Sequence, residues 1–186
     1  PHANHRLNNS AADTTPPQSF LDFCFFSHLP MPLDLVILEF GSMAASASFA
    51  GVEAIVRLLL SLREPPAIAF LTVREWCKAS VKPWGSAPPY GPTTPTKHAK
   101  AEAAFEELCA HYNQTCLSYH RALAPHFHAG RDNFSMADIA GDCLHPNRGR
   151  LGNDYMSDLL VHYLRTAATA HAAARGGRRT AVTAAA

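Results

Sequence analysis

Three short apolar runs stand out along the chain, and each is the length of a β-strand. Residues 35–38 (LVIL) and 67–71 (AIAFL) are continuously apolar, which is typical of parallel strands covered by helices on both faces. A third run, residues 115–119, is shorter and more polar, and it predicts a third strand.

Apolar residues between and after these runs recur at helical spacing. Val52, Ile55, Val56 and Leu59 predict a helix from about residue 49 to 62, and Pro65-Pro66 ends it. Two more stripes predict helices, one carrying Ala101, Phe105, Leu108 and Tyr112, the other Leu151, Tyr155, Leu159 and Tyr163. Strands that alternate with helices predict a three-layer α/β/α domain with an open parallel sheet, of the flavodoxin-like kind.

Composition divides the chain into three parts. Residues 1–18 hold few large apolar side chains and predict a flexible segment, and residues 166–186 form a tail rich in Ala and Arg. Residues 19–165 are long enough for one domain with a buried core. Because the chain begins with Pro1 rather than Met, we expect the domain to be incomplete at its N-terminus.

Net charge, charged residues in apolar stretches and cysteine spacing limit the classes of partner and compartment that the sequence suggests. Sixteen Lys and Arg against fifteen Asp and Glu leave a formal net charge of +1, which gives no general attraction for nucleic acid. The most apolar stretch is interrupted by Glu39, Glu53 and Arg57, so no membrane span is expected. The five cysteines form no C-x-x-C pair, and their pairing stays open. Three Asn-x-Ser/Thr triplets, at Asn8, Asn113 and Asn133, favour the secretory route slightly.

Ligands of open parallel sheets bind beyond the carboxyl ends of the strands, and one loop there holds a carboxylate and an imidazole. Asp142 and His145 are three residues apart, just before the last predicted helix, so one turn brings the carboxylate to the imidazole Nδ1. An aspartate in that position fixes the tautomer and leaves Nε2 free to take a proton from a nucleophile. The pair is therefore our candidate for general-base catalysis.

The motif Asp142-Cys143-Leu144-His145-Pro146, opening the final helix of such a domain, resembles the last block of the SGNH (GDSL-type) ester hydrolases. The strand at residues 34–40 resembles the one that leads into that family's oxyanion block. This resemblance covers roughly residues 20 to 165. It implies an esterase or acyl-esterase, acting without a cofactor on a small-molecule or glycan ester such as an acetylated glycan, with Asp142 and His145 as its base pair.

Two departures from the family pattern bear on activity. The oxyanion position falls on Gly41, Ser42 and Met43, where the family has an asparagine, and a methionine side chain donates no hydrogen bond. The family's Gly-Asp-Ser nucleophile block occurs nowhere in the 186 residues. We therefore expect the serine to lie outside this chain, with Ser42 as a less favoured candidate, or the domain to be an inactive glycan- or protein-binding module.

Other residues with chemical potential have simpler interpretations. Trp76, Trp84 and Tyr90 lie in a proline-rich loop, residues 74–96, that should cover the same sheet edge; they are candidates for stacking on a sugar or for anchoring the loop. His120, His126 and His128, with Asp132, form a less favoured metal-site alternative, so we expect no bound metal. The sequence does not indicate an oligomeric state.

Overall fold

The protein is an α/β domain built on an open parallel sheet. The computed structural model describes residues 8, 16–22, 25–29, 31–41, 49–78, 89–91 and 94–183. In chain order the strands are β1 (Leu35–Leu38), β2 (Ala67–Thr72) and β3 (Thr115–Ser118). The helices are α1 (Pro17–Asp22), α2 (Phe49–Leu60), α3 (Lys97–Tyr112), α4 (Tyr119–His128), α5 (Met136–Ile139) and α6 (Gly152–Thr183), with a short 3₁₀ helix at Phe25–His28.

The sheet has the order β1-β2-β3, with both pairs parallel. Leu38 pairs with Phe70, and Thr72 pairs with Ser118, so the carboxyl ends of all three strands meet at one edge. This confirms the open parallel sheet predicted from the apolar runs. The edge is where the residues after each strand come together.

One face of the sheet packs on α2 and α3. Side chains at alternate positions of β1 and β2 join apolar residues of the two helices in a first core cluster. Its strand and helix members include Val36, Leu38, Ile68, Phe70, Val52, Ile55, Val56, Leu59, Phe105 and Cys109. The stripe predicted for α2 is thus its buried face.

The second face of β2 is also covered. Ala69 and Leu71 point away from the first cluster because strand side chains alternate, yet they are only 0% and 5% exposed. A second cluster lies at this side, formed by Val73, Trp76, Tyr119, Leu123 and Ile139 with neighbours from α4 and α5. Helices therefore lie on both faces, which is the three-layer α/β/α arrangement.

Strand β1 differs from the prediction of burial on both faces. Within the described sheet it is an edge strand, and Ile37, which faces away from the first cluster, is 39% exposed. A continuous apolar run indicates a strand that helices can cover on both faces, but it does not identify the elements that pack on each face.

Two element boundaries and one whole helix also differ from the sequence prediction. Helix α1 begins at Pro17, which is buried and lies against Gly51 of α2, so the ordered part starts before residue 19. Helix α4 was not predicted: its first residue, Tyr119, was assigned to the third strand, and Pro125 lies inside it. Helix α6 continues to Thr183, through most of the segment predicted as a tail. No helix in the described ranges has the length and apolar character needed to cross a bilayer.

Two disulfides link the elements and pair the four cysteines that lie in the described residues. Cys109 near the end of α3 is bonded to Cys116 of β3, and Cys77 after β2 is bonded to Cys143. The second bond joins two loops at the carboxyl edge of the sheet.

Candidate active site

The imidazole of His145 and the carboxylate of Asp142 are in direct contact. His145 Nδ1 lies 2.6 Å from Asp142 Oδ2, and the imidazole side chain is 74% exposed. No hydrogen-bond partner for its Nε2 is found in the part of the chain that the structure describes. The predicted contact is confirmed; the catalytic role of the pair remains a prediction.

A tight turn explains why Asp142 meets His145. The second carboxylate oxygen, Oδ1, accepts hydrogen bonds from the backbone amides of Leu144 (3.0 Å) and His145 (2.7 Å). These bonds hold the carboxylate over its own turn, as aspartates commonly do. One oxygen is thus used to fix the loop, and the other is left for the imidazole.

The pKa of the Asp142 carboxyl lies below its ordinary value. Partial burial alone would raise this pKa, but the hydrogen bonds from the His145 ring and from the amides of Leu144 and His145 outweigh that effect. Asp142 therefore stays ionised at neutral pH. An ionised acceptor at Nδ1 stabilises the protonated imidazole and holds Nε2 outward.

The turn lies at the carboxyl edge of the sheet. The Trp76 amide, four residues past β2, donates a hydrogen bond to the carbonyl oxygen of Cys143 (2.7 Å), and Cys77 forms the disulfide with Cys143. On the other side, the Asn147 amide donates to the Ile139 carbonyl oxygen at the end of α5 (2.9 Å). The Asp142–His145 turn is therefore fastened on both sides.

Glu39, the residue after β1, is a second carboxylate near His145. Enclosure of the carboxyl group by neighbouring atoms raises its pKa, although part of the residue remains exposed, while the Gly41 amide and the charge of His145 act to lower it. Sequence reasoning placed Glu39 at the carboxyl end of the first strand but gave its carboxylate no role in a site. Its position directly after a buried strand was the signal for a place at this edge.

Gly41 occupies a tight position next to Glu39. Its amide donates to Glu39 Oε1 at 3.0 Å, so in this conformation the amide is not directed at a ligand. A methyl group at Gly41 would lie 2.9 Å from the Val73 backbone, which only a glycine avoids. The other two residues of the predicted oxyanion position, Ser42 and Met43, lie outside the described residues.

The aromatic residues of the 74–96 loop are only partly described. Trp76 is 1% exposed and packs against Tyr119, His120 and Phe127 in the second cluster. An indole enclosed in this way anchors the loop, which is the second of the two roles considered for Trp76, and it offers no free face for stacking on a sugar. Tyr90, half-buried, donates its amide to the Trp76 carbonyl oxygen (2.7 Å), and Trp84 lies outside the described residues.

A buried charged cluster, which the sequence analysis did not identify, lies between β2, α3 and β3. Arg74 forms an ion pair with Glu102 (3.6 Å), Glu75 forms one with His98, and the Ser118 hydroxyl donates to Glu102. The signal for it was Glu102 on the apolar face of α3, since a buried charge needs a partner.

Two cavities border this charged cluster rather than the Asp142–His145 turn. They measure about 260 and 450 Å³, and both are lined by Glu102 and Arg121. Asp142 and His145 line neither cavity. The His145 imidazole lies on an exposed turn, outside both cavities.

The three histidines considered for a metal site lie on helix α4 rather than in a loop. His120 is buried, with its ring 4.4 Å from the Trp76 ring centre, and His126 lies against Phe134. Among the described residues, no three His, Cys, Asp or Glu side chains are grouped closely enough to hold a metal ion.

The fold and the turn do not lead to a known relative. No family model, curated protein or solved structure matches this chain. What defines the protein is therefore its own architecture: an α/β domain with an aspartate–histidine pair at the carboxyl edge of a parallel sheet.

Proposed function

We propose that this chain is the base-bearing part of an SGNH-like ester hydrolase, with a serine nucleophile supplied from outside the 186 residues. The observation that carries the proposal is the 2.6 Å contact between His145 Nδ1 and Asp142 Oδ2 on an exposed turn at the carboxyl edge of the sheet. The substrate class is a carboxylic ester, such as an acetylated glycan.

In this mechanism His145 moves one proton in each half-reaction. Its Nε2 accepts the proton of the serine hydroxyl as the serine oxygen attacks the ester carbonyl, and it then gives that proton to the departing alcohol oxygen. Water repeats the sequence on the acyl-enzyme and releases the acid. Asp142 holds the tautomer and stabilises the imidazolium throughout.

Glu39 supports the same assignment. A carboxylate that interacts electrostatically with His145 would stabilise the positive charge that develops on the imidazole as it takes the serine proton. Replacing Glu39 by Gln should therefore reduce turnover less than replacing Asp142, because it acts on the charge of His145 and not on its orientation.

The proposal is tested on the complete gene product and on the 186-residue chain in parallel. With p-nitrophenyl acetate, Asp142→Asn should lower kcat of the complete product by about three to four orders of magnitude, since the amide favours the wrong tautomer. His145→Ala should be at least as severe. The matched control is His162→Ala, an exposed histidine of α6, which should leave kcat unchanged.

The 186-residue chain should not hydrolyse the ester faster than its His145→Ala variant, because no serine is hydrogen-bonded to His145 in its described part. Unchanged kcat in His145→Ala of the complete product would refute the general-base role. If the shorter chain reacts covalently with a fluorophosphonate probe, its nucleophile is internal. Ser42→Ala is then the first variant to make, because Ser42 follows Gly41 in the predicted oxyanion position.

A catalytically inactive module is the second candidate, and one observation favours it. The Gly41 amide, in the predicted oxyanion position, is already bonded to a carboxylate. In that case the complete product should bind acetylated oligosaccharides in a calorimetric titration, and it should release no acetate.

A further inference from the structure

One covalent bond and one hydrogen bond hold the Asp142–His145 turn to the loop after β2, and both reach the same residue. Cys143 is bonded to Cys77 through sulfur, and its carbonyl oxygen accepts the Trp76 amide at 2.7 Å. Cys77 and Cys143 are each 0% exposed. Cys143, the residue next to the candidate catalytic Asp142, therefore attaches the turn to the loop after β2.

Cys143 has a backbone conformation that residues other than glycine adopt rarely. Its φ is +73°, in the left-handed region where a β-carbon is disfavoured. Such conformations persist where the surroundings fix them. Here the attachments found at Cys143 are the disulfide, the Trp76 hydrogen bond and a hydrogen bond from its own amide to the Ala140 carbonyl oxygen (3.0 Å).

The contact of Asp142 with the imidazole depends on that conformation. The dihedral angles of Cys143 set the direction of the following amides, and the amides of Leu144 and His145 are the donors that hold Asp142 Oδ1. If Cys143 relaxes to a negative φ, both donors turn away from the carboxylate. The carboxylate then loses its fixed place beside Nδ1.

We propose that Cys77 and Cys143 are positioning residues, and that their disulfide is required for the Asp142–His145 contact. The catalytic meaning of this contact rests on the proposed function, whereas the contact itself does not. Reduction by a dithiol adds two electrons and two protons, breaks the sulfur–sulfur bond to give two thiols, and converts the dithiol to its own disulfide. The pair is thus formed in the oxidised chain and lost in the reduced one.

The second disulfide supplies a matched control. Cys109 and Cys116 join α3 to β3 within the first core cluster, whereas Cys77 and Cys143 lie in neither of the two large clusters but beside the turn. Removing either bond costs one cross-link. Only the Cys77–Cys143 bond should affect His145.

The test compares Cys77→Ala/Cys143→Ala with Cys109→Ala/Cys116→Ala by ¹⁵N spectra of histidine-labelled protein at a pH where imidazoles are neutral. The His145 signal is assigned by its absence in His145→Ala. The native chain and the control should show the Nδ1–H tautomer, and the first double variant should shift to the Nε2–H tautomer that predominates in free imidazole. The pKa of the Asp142 carboxyl, lowered in the native chain, should return toward its ordinary value only in that variant.

Native chain treated with dithiothreitol provides the second measurement, with far-ultraviolet circular dichroism as the check on folding. An unchanged His145 tautomer in a reduced, folded chain would overturn the proposal. Loss of the whole fold on reduction would overturn it too, because a bond whose removal costs more than its loop-closure entropy acts on the sheet and not only on the turn. If the tautomer shifts as expected while the complete gene product hydrolyses no ester, the positioning role stands and the proposed function fails.

Discussion

At the scale of single residues, His120 shows how burial changes a titratable group. It is 4% exposed and lies against the Trp76 indole. Burial first, and then the positive charges of Arg74 and His128, lower its pKa from 6.5 to about 4, while Glu75 acts in the opposite direction. His120 is therefore neutral in the folded protein at neutral pH.

The pH dependence of stability follows from this shift. Between about pH 6.5 and 4 the unfolded chain binds a proton at His120 that the folded chain does not, so the free energy of unfolding falls as the pH is lowered through this range. Across this range the free energy of unfolding falls by roughly 3 kcal/mol because of His120, and above the pKa of the unfolded chain His120 causes no such loss. His120→Phe keeps an aromatic ring beside Trp76 and should flatten this part of the curve in urea unfolding.

His162→Phe, on the exposed side of α6, is the control for that experiment and should retain the native slope. A His120→Phe variant as acid-sensitive as the native chain would show that other groups cause the loss.

At the scale of elements, the start of α6 fixes the loop that carries His145. Gly152, its first residue, is buried against the backbone of Pro146, Asn147 and Ile139, and an added β-carbon would lie 2.9 Å from the Pro146 carbonyl carbon. The Tyr119 hydroxyl, from α4, lies 3.1 Å from the Gly152 carbonyl oxygen and 3.2 Å from that of Ile139. Helices α4, α5 and α6 therefore meet directly behind the candidate site.

Gly152→Ala should separate these elements. The methyl group meets backbone atoms, which cannot rotate away, so we expect a loss of about 1 to 3 kcal/mol in the free energy of unfolding. Thermal unfolding checks this, with Gly149→Ala as the control, because a β-carbon there meets only Asn147 Oδ1 at an ordinary 3.7 Å. Equal melting temperatures for the two variants would contradict the close approach.

At the scale of the whole molecule, the two disulfides should contribute unequally to stability. Cys77 and Cys143 are separated by 66 residues and Cys109 and Cys116 by 7. Loop-closure entropy in the unfolded chain then gives about 4 kcal/mol for the first bond and about 2.5 kcal/mol for the second. Urea unfolding of the two double alanine variants should show this order, and the reverse order would show that native packing, not chain entropy, governs the difference.

Two disulfides in one chain are typical of an oxidising compartment. Asn113 and Asn133 are exposed, have φ of 52° and 66°, and begin Asn-x-Ser/Thr triplets. When the protein is expressed through a eukaryotic secretory pathway, both should carry N-linked glycans. Treatment with peptide N-glycosidase should lower the mass of the native protein, and it should lower the mass of Asn113→Gln or Asn133→Gln by one glycan less. A native protein whose mass does not change on treatment would contradict this.

The sequence by itself determined the elements whose signals are local. Apolar runs at 35–38 and 67–71 specify strands, and the stripe of Val52, Ile55, Val56 and Leu59 specifies the buried face of α2, because periodicity depends only on neighbouring residues. The contact of Asp142 with His145 is equally local, since one turn joins residues three apart.

Only the tertiary structure decided which distant segments meet. The pairing of Cys77 with Cys143, the place of Glu39 near His145 and the burial of Trp76 each join residues far apart in sequence, and no periodic pattern encodes such contacts. Helix α4 contains Pro125, which disfavours a helix locally, and packing of Tyr119 and Leu123 in the second cluster stabilises the helix nevertheless. Local propensity determined which segments form helices and strands, and the free energy of burying these elements against one another determined which of them are neighbours.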